Sequence, residues 1–302
     1  MALLVCIVGP TAVGKTALAI RLANYFQTVI VSADSRQVYQ QMPIGTALPT
    51  AEERAQAPHF LVDFLTPDQT ISAGQYAEEA LQLLQTLFKT HPVVLLVGGS
   101  GLYVQAVCQG LDQFPEVNQG IREELNRQLA ETGLPALLQQ LQQLDPAYFE
   151  QVDKANPRRV IRALEVCLSS GKPFSSFHKQ ASSPQFFQTL KIGLQVPREV
   201  LYDRINQRVQ LMMQQGLAQE VEALKPYAHC QALQTVGYRE FFPYWEGDYD
   251  EATLVALIQQ HTRQFAKRQL TWFRKDTAIQ WFDPQAETAI IALIEEALKQ
   301  QE

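Results

Sequence analysis

The segment Gly9-Pro10-Thr11-Ala12-Val13-Gly14-Lys15-Thr16 decides the fold of this 302-residue chain. It fits the pattern G-x-x-x-x-G-K-[S/T], a glycine-rich loop whose backbone N–H groups cradle phosphate oxygens at the start of a helix. The apolar run Leu3–Val8 before it predicts a buried strand, and residues 14–26 after it have helical spacing. Strand, loop and helix together predict a P-loop, in which Lys15 contacts the outer phosphate and the Thr16 hydroxyl can ligate Mg²⁺.

Short apolar runs alternate with helical segments along most of the chain. Further strands are predicted at 29–31, 60–64, 92–97, 191–196 and 279–282, and further helices at 74–90, 198–215, 217–225, 251–275 and from about 286. Fully apolar strands are typical of a parallel sheet covered on both faces. We therefore predict an α/β fold, a P-loop NTPase-like parallel sheet flanked by helices.

An all-helical insertion interrupts this alternation. Helical spacing runs from about 121 to 168, and the segment 171–189 is loop-like. We expect the α/β core domain at 1–112 and 186–302, with the insertion domain at 113–185.

Composition limits the class of protein. A hydrophobic content of 46% and a charged content of 19% indicate a soluble globular chain, and the net charge of −6 argues against general binding to nucleic acid without excluding a local basic groove. The four cysteines, at 6, 108, 167 and 230, show no CxxC spacing, which favours a reducing compartment over a disulfide framework or a zinc site. No apolar stretch is long enough to span a membrane. A cytoplasmic protein is expected.

Asp34 directly follows the predicted strand 29–31. Residues just past the carboxyl ends of strands line the ligand crevice of a doubly wound sheet, so this carboxylate could accept a proton from a nucleophile; a helix N-cap is the alternative. The strand 92–97 ends in Gly98-Gly99-Ser100-Gly101, where a P-loop nucleotide hydrolase usually carries a carboxylate for magnesium. This suggests chemistry other than nucleotide hydrolysis. Asp63 has weaker support as a catalytic carboxylate, and we interpret it as a structural residue or one linked to magnesium.

The stretch 261–275 is basic inside an acidic chain. Five of its fifteen residues are Lys or Arg, none is acidic, and Phe265, Trp272 and Phe273 are interleaved with them. A second basic cluster lies at 158–162 in the insertion. Such stretches can follow a phosphate backbone while aromatic rings stack on bases, or they can be ordinary solvated helix faces. RNA binding and a solvated face both stay open on these residues alone.

Over essentially its whole length the sequence resembles the bacterial tRNA dimethylallyltransferases, also called tRNA isopentenyltransferases. Seven blocks carry the resemblance in the right order: Gly9–Thr16, Asp34–Tyr39, Ile44–Ala47, Gly98–Tyr103, Arg159–Glu165, Val236–Glu240 and Ala266–Phe273. The resemblance implies transfer of a dimethylallyl group from dimethylallyl diphosphate to N6 of the adenosine 3′-adjacent to the anticodon of tRNA, with release of diphosphate. It further implies Mg²⁺ as cofactor and contact of the insertion with the anticodon stem-loop. A monomer is expected, although the sequence itself does not reveal the oligomeric state.

The resemblance also assigns roles to residues. It implies that Asp34 is the general base and that Lys15, Thr16 and Arg239 complete the catalytic set, with Arg239 helping to neutralise the leaving diphosphate and Thr16 contacting the metal. The diphosphate would be bound by Gly9, Thr11, Ala12, Val13, Gly14, Lys15 and Thr16. The tRNA would be bound by Asp34, Ser35, Arg36, Gln37, Ser100, Gly101, Arg158, Arg159, Val160, Ile161, Arg162, Gln234, Thr235, Val236, Gly237, Tyr238, Arg239, Lys267, Arg268, Gln269, Thr271, Trp272 and Arg274.

Three other interpretations compete with this one. A P-loop small-molecule kinase would bind ATP and carry an acidic residue after Val97, and it leaves the basic stretch unexplained. An adenylate isopentenyltransferase would use the same donor without RNA, and the basic clusters argue against it. A non-enzymatic RNA-binding module leaves Lys15 and Asp34 without a role.

Overall fold

The computed structural model describes residues 2–112, 114–115, 117–178 and 186–300, except for the side chain of Gln119. The chain forms two compact units, Met1–Gln109 with Pro184–Glu302, and Gly110–Ser183. Residues 179–185 of the segment that we predicted as a loop lie outside the described residues.

The larger unit contains a six-stranded sheet in which every pair of neighbouring strands is parallel. Its strands are β1 Leu3–Val8, β2 Ile30–Ser32, β3 His59–Phe60, β4 Val93–Gly98, β5 Gln188–Leu194 and β6 Gln280–Phe282, in the order β3-β2-β4-β1-β5-β6. The two central strands β1 and β4 are buried along their whole length. The predicted parallel sheet is confirmed, since strands covered on both faces must be apolar throughout.

Helices cover both faces of this sheet and build the second unit. In chain order they are α1 Lys15–Tyr25, α2 Ala51–Gln56, α3 Ala73–Leu87, α4 Gly101–Gln109, α5 Gln119–Thr132, α6 Leu134–Leu144, α7 Pro146–Phe149, α8 Pro157–Ser170, α9 Arg198–Gln214, α10 Leu217–Ala223, α11 Phe241–Glu246, α12 Glu251–Phe273 and α13 Glu287–Lys299. Side-chain caps define several starts. Ser72 and Gln75 form a capping box at α3, and Asp250 accepts from Thr253 N at 2.8 Å at α12.

The prediction of a strand at 60–64 was wrong. The strand stops at Phe60 because Leu61 and Asp63 adopt left-handed backbone angles, with φ of 57° and 43°. Extended pairing cannot continue through such residues. Asp63 instead pairs with Arg54, at 2.7 Å between Oδ2 and the guanidinium.

The strand predicted at 191–196 is shifted toward the N-terminus, since β5 runs over Gln188–Leu194. Its first residues pair with the start of β1, Gln188 opposite Leu3, and this long-range pairing extends the strand through polar residues that carry no apolar pattern. The predicted loop 171–189 is therefore wrong at its end, and it also holds a 3₁₀ turn at Phe174–Phe177. Three helices, α2, α4 and α11, were not predicted because each is short.

The smaller unit has its own core. Helices α5, α6 and α8 bury leucines and valines, including Leu125, Leu141 and Leu164. Glu165 is completely buried in this unit and is held by the guanidinium groups of Arg122 and Arg162. The described residues of this unit contain no strand.

No helix within the described residues is long and apolar enough to cross a membrane. All four cysteines are free thiols, and the Sγ atoms of Cys6 and Cys108 lie 3.4 Å apart in the core of the larger unit.

Candidate active site

The predicted P-loop joins β1 to α1 in a strained conformation. Gly9 and Gly14 have φ of 149° and 107°, and Ala12 lies between them with φ of 64°. A Cβ at Gly9 would be 2.8 Å from the carbonyl oxygen of Leu194 in β5, so only glycine fits there. No side chain caps the first turn of α1, whose N-cap is Gly14. Its amide groups are available to an anion.

The P-loop opens into a cavity of about 760 Å³ in the larger unit. This volume lies within the range of ligand pockets, about 300–1,000 Å³. Loop and sheet residues form one part of the wall: Thr11, Ala12, Gly14, Lys15, Thr16, Ala17, Asp34, Gln37, Val97 and Gly98. The segment 43–50, α2 and α9 form the rest through Pro43, Ile44, Thr46, Ala47, Leu48, Pro49, Thr50, Ala51, Glu53, Arg54, Arg208, Leu211, Met212 and Gln215.

Lys15 lies inside this cavity with its ammonium group turned back onto the loop. Its Nζ donates to the carbonyl oxygens of Gly9, at 3.0 Å, and Pro10, at 2.8 Å. The pKa of Lys15 is lowered to about 8, and burial of the ammonium group is the main cause. The Asp34 carboxylate opposes this shift and the Arg208 guanidinium adds to it. The ammonium form therefore needs an anion beside it, which a diphosphate would supply.

The titration of Lys15 predicts a pH-dependent affinity for the anionic ligand. A bound diphosphate stabilises the ammonium form, so affinity is full below the free-site pKa of about 8 and falls as pH rises above it. We expect dimethylallyl diphosphate to bind about tenfold more weakly at pH 9 than at pH 7, measured by calorimetry. In Lys15→Met, binding is expected to be weaker at both pH values, and the part of the pH dependence due to the lysine should vanish. An unchanged slope in this variant would contradict the assignment.

Asp34 follows β2 and lines the same cavity, as predicted. Its Oδ1 accepts from the backbone N–H of Arg36 at 3.0 Å, which leaves Oδ2 for another partner. Ser35 N donates to Ser100 Oγ at 2.8 Å, and this bond joins the turn after β2 to the turn after β4. The chain folds this way because parallel strands place their carboxyl ends at one edge of the sheet.

The double glycine after β4 allows the turns after β2 and β4 to touch. A Cβ at Gly98 would lie 2.0 Å from the carbonyl oxygen of Ala33, so no side chain fits at this position. The carboxylate that a nucleotide hydrolase carries here is thus excluded by backbone contact. At Gly101 a Cβ would lie 2.1 Å from the ring of Trp272, which covers the start of α4.

Gln269 on α12 links the P-loop to the turn after β4. Its Oε1 accepts from Thr11 N at 2.9 Å and its Nε2 donates to the Gly99 carbonyl at 3.0 Å. The side chain is buried, with both ends of its amide occupied by backbone groups. Gln269 therefore holds two site loops together instead of facing solvent.

Arg204 and Arg208 were missed by sequence reasoning. Both lie on α9, where Arg204 donates to the Val13 carbonyl at 3.2 Å and Arg208 lies 3.5 Å from Thr11 Oγ1. Burial lowers the pKa of Arg208, and Glu53 and Asp34 partly compensate. The sequence offered one signal for this pair, a spacing of four residues that places both arginines on one face of a helix. It did not indicate the P-loop as their partner, because the loop is some 190 residues away in sequence.

The structure does not bring Arg239 to the P-loop cavity, so its expected part in neutralising diphosphate is not supported. Its side chain is half-exposed and its Nε donates to Glu240 at 3.2 Å. Glu240 is buried and also accepts from Gly237 N and His261 Nδ1, at 2.8 Å and 2.7 Å. The arginines that line the cavity are Arg54 of α2 and Arg208 of α9.

The residues predicted to bind tRNA fall into three groups by exposure. Exposed on their own units are Arg158, Arg159, Gln234, Arg239, Lys267, Arg268, Thr271, Trp272 and Arg274. Partly buried are Asp34, Ser35, Arg36, Gln37, Ser100, Gly101, Arg162 and Thr235. Buried are Val160, Ile161, Val236, Gly237, Tyr238 and Gln269. The last group is buried because each block is continuous in sequence while alternate helix and turn positions face the core. Contact of these six residues with tRNA stays a prediction.

Comparisons with known proteins point to one family. A family model described as IPP transferase matches residues 37–276. A tRNA dimethylallyltransferase of Christiangramia forsetii is 48% identical over 280 residues, which cover 93% of this chain and 93% of that protein. The crystal structure of a full-length tRNA isopentenylpyrophosphate transferase from Bacillus halodurans is 35% identical, with a TM-score of 0.74 over 99% of this chain and 98% of that one. A eukaryotic dimethylallyltransferase acting on tRNA shares the fold, with a TM-score of 0.85 and 23% identity over 99% of this chain and 80% of that one.

The family match begins after both the P-loop and Asp34, so it is independent of the loop that indicated a phosphate site. The relatives cover nearly the whole chain. Together with the parallel sheet and the cavity described above, these matches confirm the resemblance seen in the sequence: the chain belongs to the IPP transferase family.

Proposed function

We propose that this chain is a tRNA dimethylallyltransferase, which moves the dimethylallyl group of dimethylallyl diphosphate to N6 of the adenosine 3′-adjacent to the anticodon. The single observation that carries the proposal is one cavity lined by the P-loop, the Asp34 carboxylate and the Arg208 guanidinium. Anion binding, proton acceptance and charge neutralisation are thus available at one place. The relatives named tRNA dimethylallyltransferase support the same reaction.

The P-loop would hold the leaving group. Amide groups at the start of α1, the Lys15 ammonium and the Arg208 guanidinium together provide donors and positive charge for two phosphate groups. Neutralising the diphosphate stabilises the charge that develops as the bond between C1 of the prenyl chain and its oxygen breaks.

Asp34 would accept the proton of the nucleophile. The exocyclic amine of adenine is a weak nucleophile because its lone pair is delocalised into the ring. As N6 forms its bond to C1, the C1–oxygen bond breaks, diphosphate leaves with the electron pair, and one N6 proton passes to the free Oδ2 of Asp34. A positioned base contributes about 10²–10⁴-fold to such a step.

Mg²⁺ would accompany the diphosphate. This ion prefers oxygen ligands, and the Thr16 hydroxyl lines the cavity beside the P-loop amides. Within the described residues, no group of three or more His, Cys, Asp or Glu side chains is arranged to hold a metal, so phosphate oxygens would supply the other ligands. Thr16 would hold the ion, whose charge would offset that of the diphosphate.

The tRNA substrate would be bound by the exposed basic residues. On α12 and just after it, Lys267, Arg268 and Arg274 are exposed and Trp272 presents 40% of its surface to solvent. Arg36 lies over the ring of Phe265, 4.1 Å from its centre, beside Asp34 in sequence. The exposed Arg158 and Arg159 of α8 support a contact of the insertion with the anticodon stem-loop. Reaching N6 requires the adenosine to leave its stack.

We also propose that the enzyme acts in the cytoplasm and as a monomer. Its thiols are free, as expected in a reducing compartment. The residues that line the cavity all come from one unit of one chain.

A prenyl-transfer assay tests this function. The protein is incubated with labelled dimethylallyl diphosphate, Mg²⁺ and either an anticodon stem-loop or AMP. We expect label on the stem-loop adenosine and none on AMP. Label on AMP alone would favour an adenylate isopentenyltransferase. Hydrolysis of ATP without prenyl transfer would favour a kinase-like enzyme.

A further inference from the structure

The segment Met42–Thr50 forms much of the cavity wall but contains no regular secondary structure. The segment contributes five apolar residues to the cavity, Pro43, Ile44, Ala47, Leu48 and Pro49. Leu211 and Met212 of α9 add to them. Ala47 has a φ of 50°. An irregular segment of this kind keeps its position only where outside contacts hold its backbone.

Glu220 holds this segment from α10. Its Oε2 accepts from Ile44 N at 2.7 Å, and its Oε1 accepts from Gly45 N at 2.9 Å. Two neighbouring amide groups are thus bound by the two oxygens of one carboxylate. Bonds of this type are shorter and stronger than those between neutral groups.

The Tyr238 side chain contacts both Glu220 and the segment that Glu220 holds. Its ring is fully buried, and its hydroxyl donates to Glu220 Oε1 at 2.7 Å. A Cβ at Gly45 would lie 2.5 Å from the ring, so the segment passes against Tyr238 with no space to spare. Glu220, Tyr238 and Gly45 therefore form one clamp, which we call the 45–220–238 clamp.

We propose that the 45–220–238 clamp positions the apolar wall against which the prenyl chain of the donor lies, and so sets which chain length the enzyme accepts. This inference rests on the proposed function. Glu220 and Tyr238 are positioning residues, since neither Glu220 nor Tyr238 lines the cavity. The P-loop would bind diphosphate without them, because the side chains that contact the loop come from α9 and α12.

The clamp explains why Tyr238 is buried although it lies in a block expected to contact RNA. Its side chain helps to hold the segment that lines the donor cavity, while the neighbouring Arg239 is exposed to solvent.

Glu220→Gln tests the proposal. The new side chain has an NH₂ group in place of one oxygen, and this group cannot accept a hydrogen bond from a backbone N–H. One of the two bonds from Ile44 N and Gly45 N must therefore break. Calorimetry measures the affinity for two ligands. Inorganic diphosphate contacts the P-loop alone, whereas dimethylallyl diphosphate also contacts the apolar wall of the cavity. We expect diphosphate affinity within about twofold of the parent protein and donor affinity about tenfold weaker. Discrimination against geranyl diphosphate in the transfer assay should fall by about tenfold as well.

Glu222→Gln is the matched control. Glu222 lies on the same helix, is 66% exposed and forms a surface ion pair with Lys225, so both affinities should stay at parent values. Tyr238→Phe keeps the ring against Gly45 and removes the hydroxyl, which contacts Glu220 Oε1 at 2.7 Å and the Met42 carbonyl oxygen at 3.2 Å. Both bonds from Glu220 to the backbone of the segment remain, so we expect a smaller loss in the same direction. Tyr238→Phe also tests the proposal if Glu220→Gln does not fold.

Equal losses for both ligands, or unchanged donor affinity and chain-length discrimination in the folded variants, would overturn the role of the clamp while leaving the proposed function intact. A parent protein that transfers no label from dimethylallyl diphosphate to the anticodon stem-loop would overturn the proposed function and, with it, the role of the clamp. The two failures are therefore distinguishable.

Discussion

Asp34→Asn is expected to slow prenyl transfer by about 10²–10⁴-fold while the affinity for an anticodon stem-loop stays within about threefold of the parent value. Asparagine keeps an oxygen that can accept from Arg36 N, so the turn after β2 is preserved. The substitution removes the negative charge and with it the ability to take the N6 proton. Single-turnover rates with saturating donor measure the chemical step, and filter binding of the stem-loop measures RNA affinity.

Asp63→Asn is the control for this measurement. Asp63 also follows a strand of the sheet, but it pairs with Arg54 and its side chain is 38% exposed. We expect less than about a threefold change in rate, as for most substitutions of partly exposed ion pairs. Near-normal turnover of Asp34→Asn would remove Asp34 as the base. A parallel loss of RNA affinity would show that its effect is on binding.

Arg208→Ala is the second substitution with a large expected effect. Within the described part of the chain, Arg208 forms no direct ion pair with a carboxylate, and it lies against Thr11 of the P-loop. Its buried charge is therefore available to the diphosphate. Loss of a donor that stabilises developing charge costs about 10²–10³-fold in rate, and we expect that loss in kcat/KM for the donor.

Arg198→Ala gives a matched comparison for Arg208. Arg198 begins the same helix but is exposed and stacks over Tyr202, 5.0 Å from the ring centre. Its removal is expected to leave kcat/KM within about twofold of the parent value. If Arg208→Ala binds inorganic diphosphate as tightly as the parent protein and keeps its rate, the guanidinium has no part in holding the leaving group.

Much of the site was predictable because it depends on short patterns. The P-loop was identified from eight consecutive residues, and Asp34 from its position after an apolar strand. Both predictions follow from local geometry, since a strand followed by a glycine turn and a helix places amide groups and side chains at one edge of the sheet. The absence of a carboxylate after β4 was also visible in the sequence, but its cause, the contact between Gly98 and Ala33, was not.

Contacts between distant segments could not be predicted from the sequence. Gln269 contacts Thr11 across 258 residues and Arg208 does so across 197, and neither contact has a local sequence signal. The family resemblance placed Gln269 in a block expected to contact tRNA, and the structure shows that its side chain is buried. Arg239 was expected at the diphosphate because of its charge and its block, and Glu240 holds it elsewhere.

The sequence by itself determined the parallel sheet, the phosphate loop, the candidate base and the family. These depend on alternation, spacing and order along the chain. Only the tertiary structure decided which arginine reaches the P-loop, which members of each block are buried, and how Glu220 and Tyr238 hold the segment 43–50. These depend on contacts between residues far apart in sequence, whose partners are set by the packing of helices on the sheet and not by the pattern of either segment.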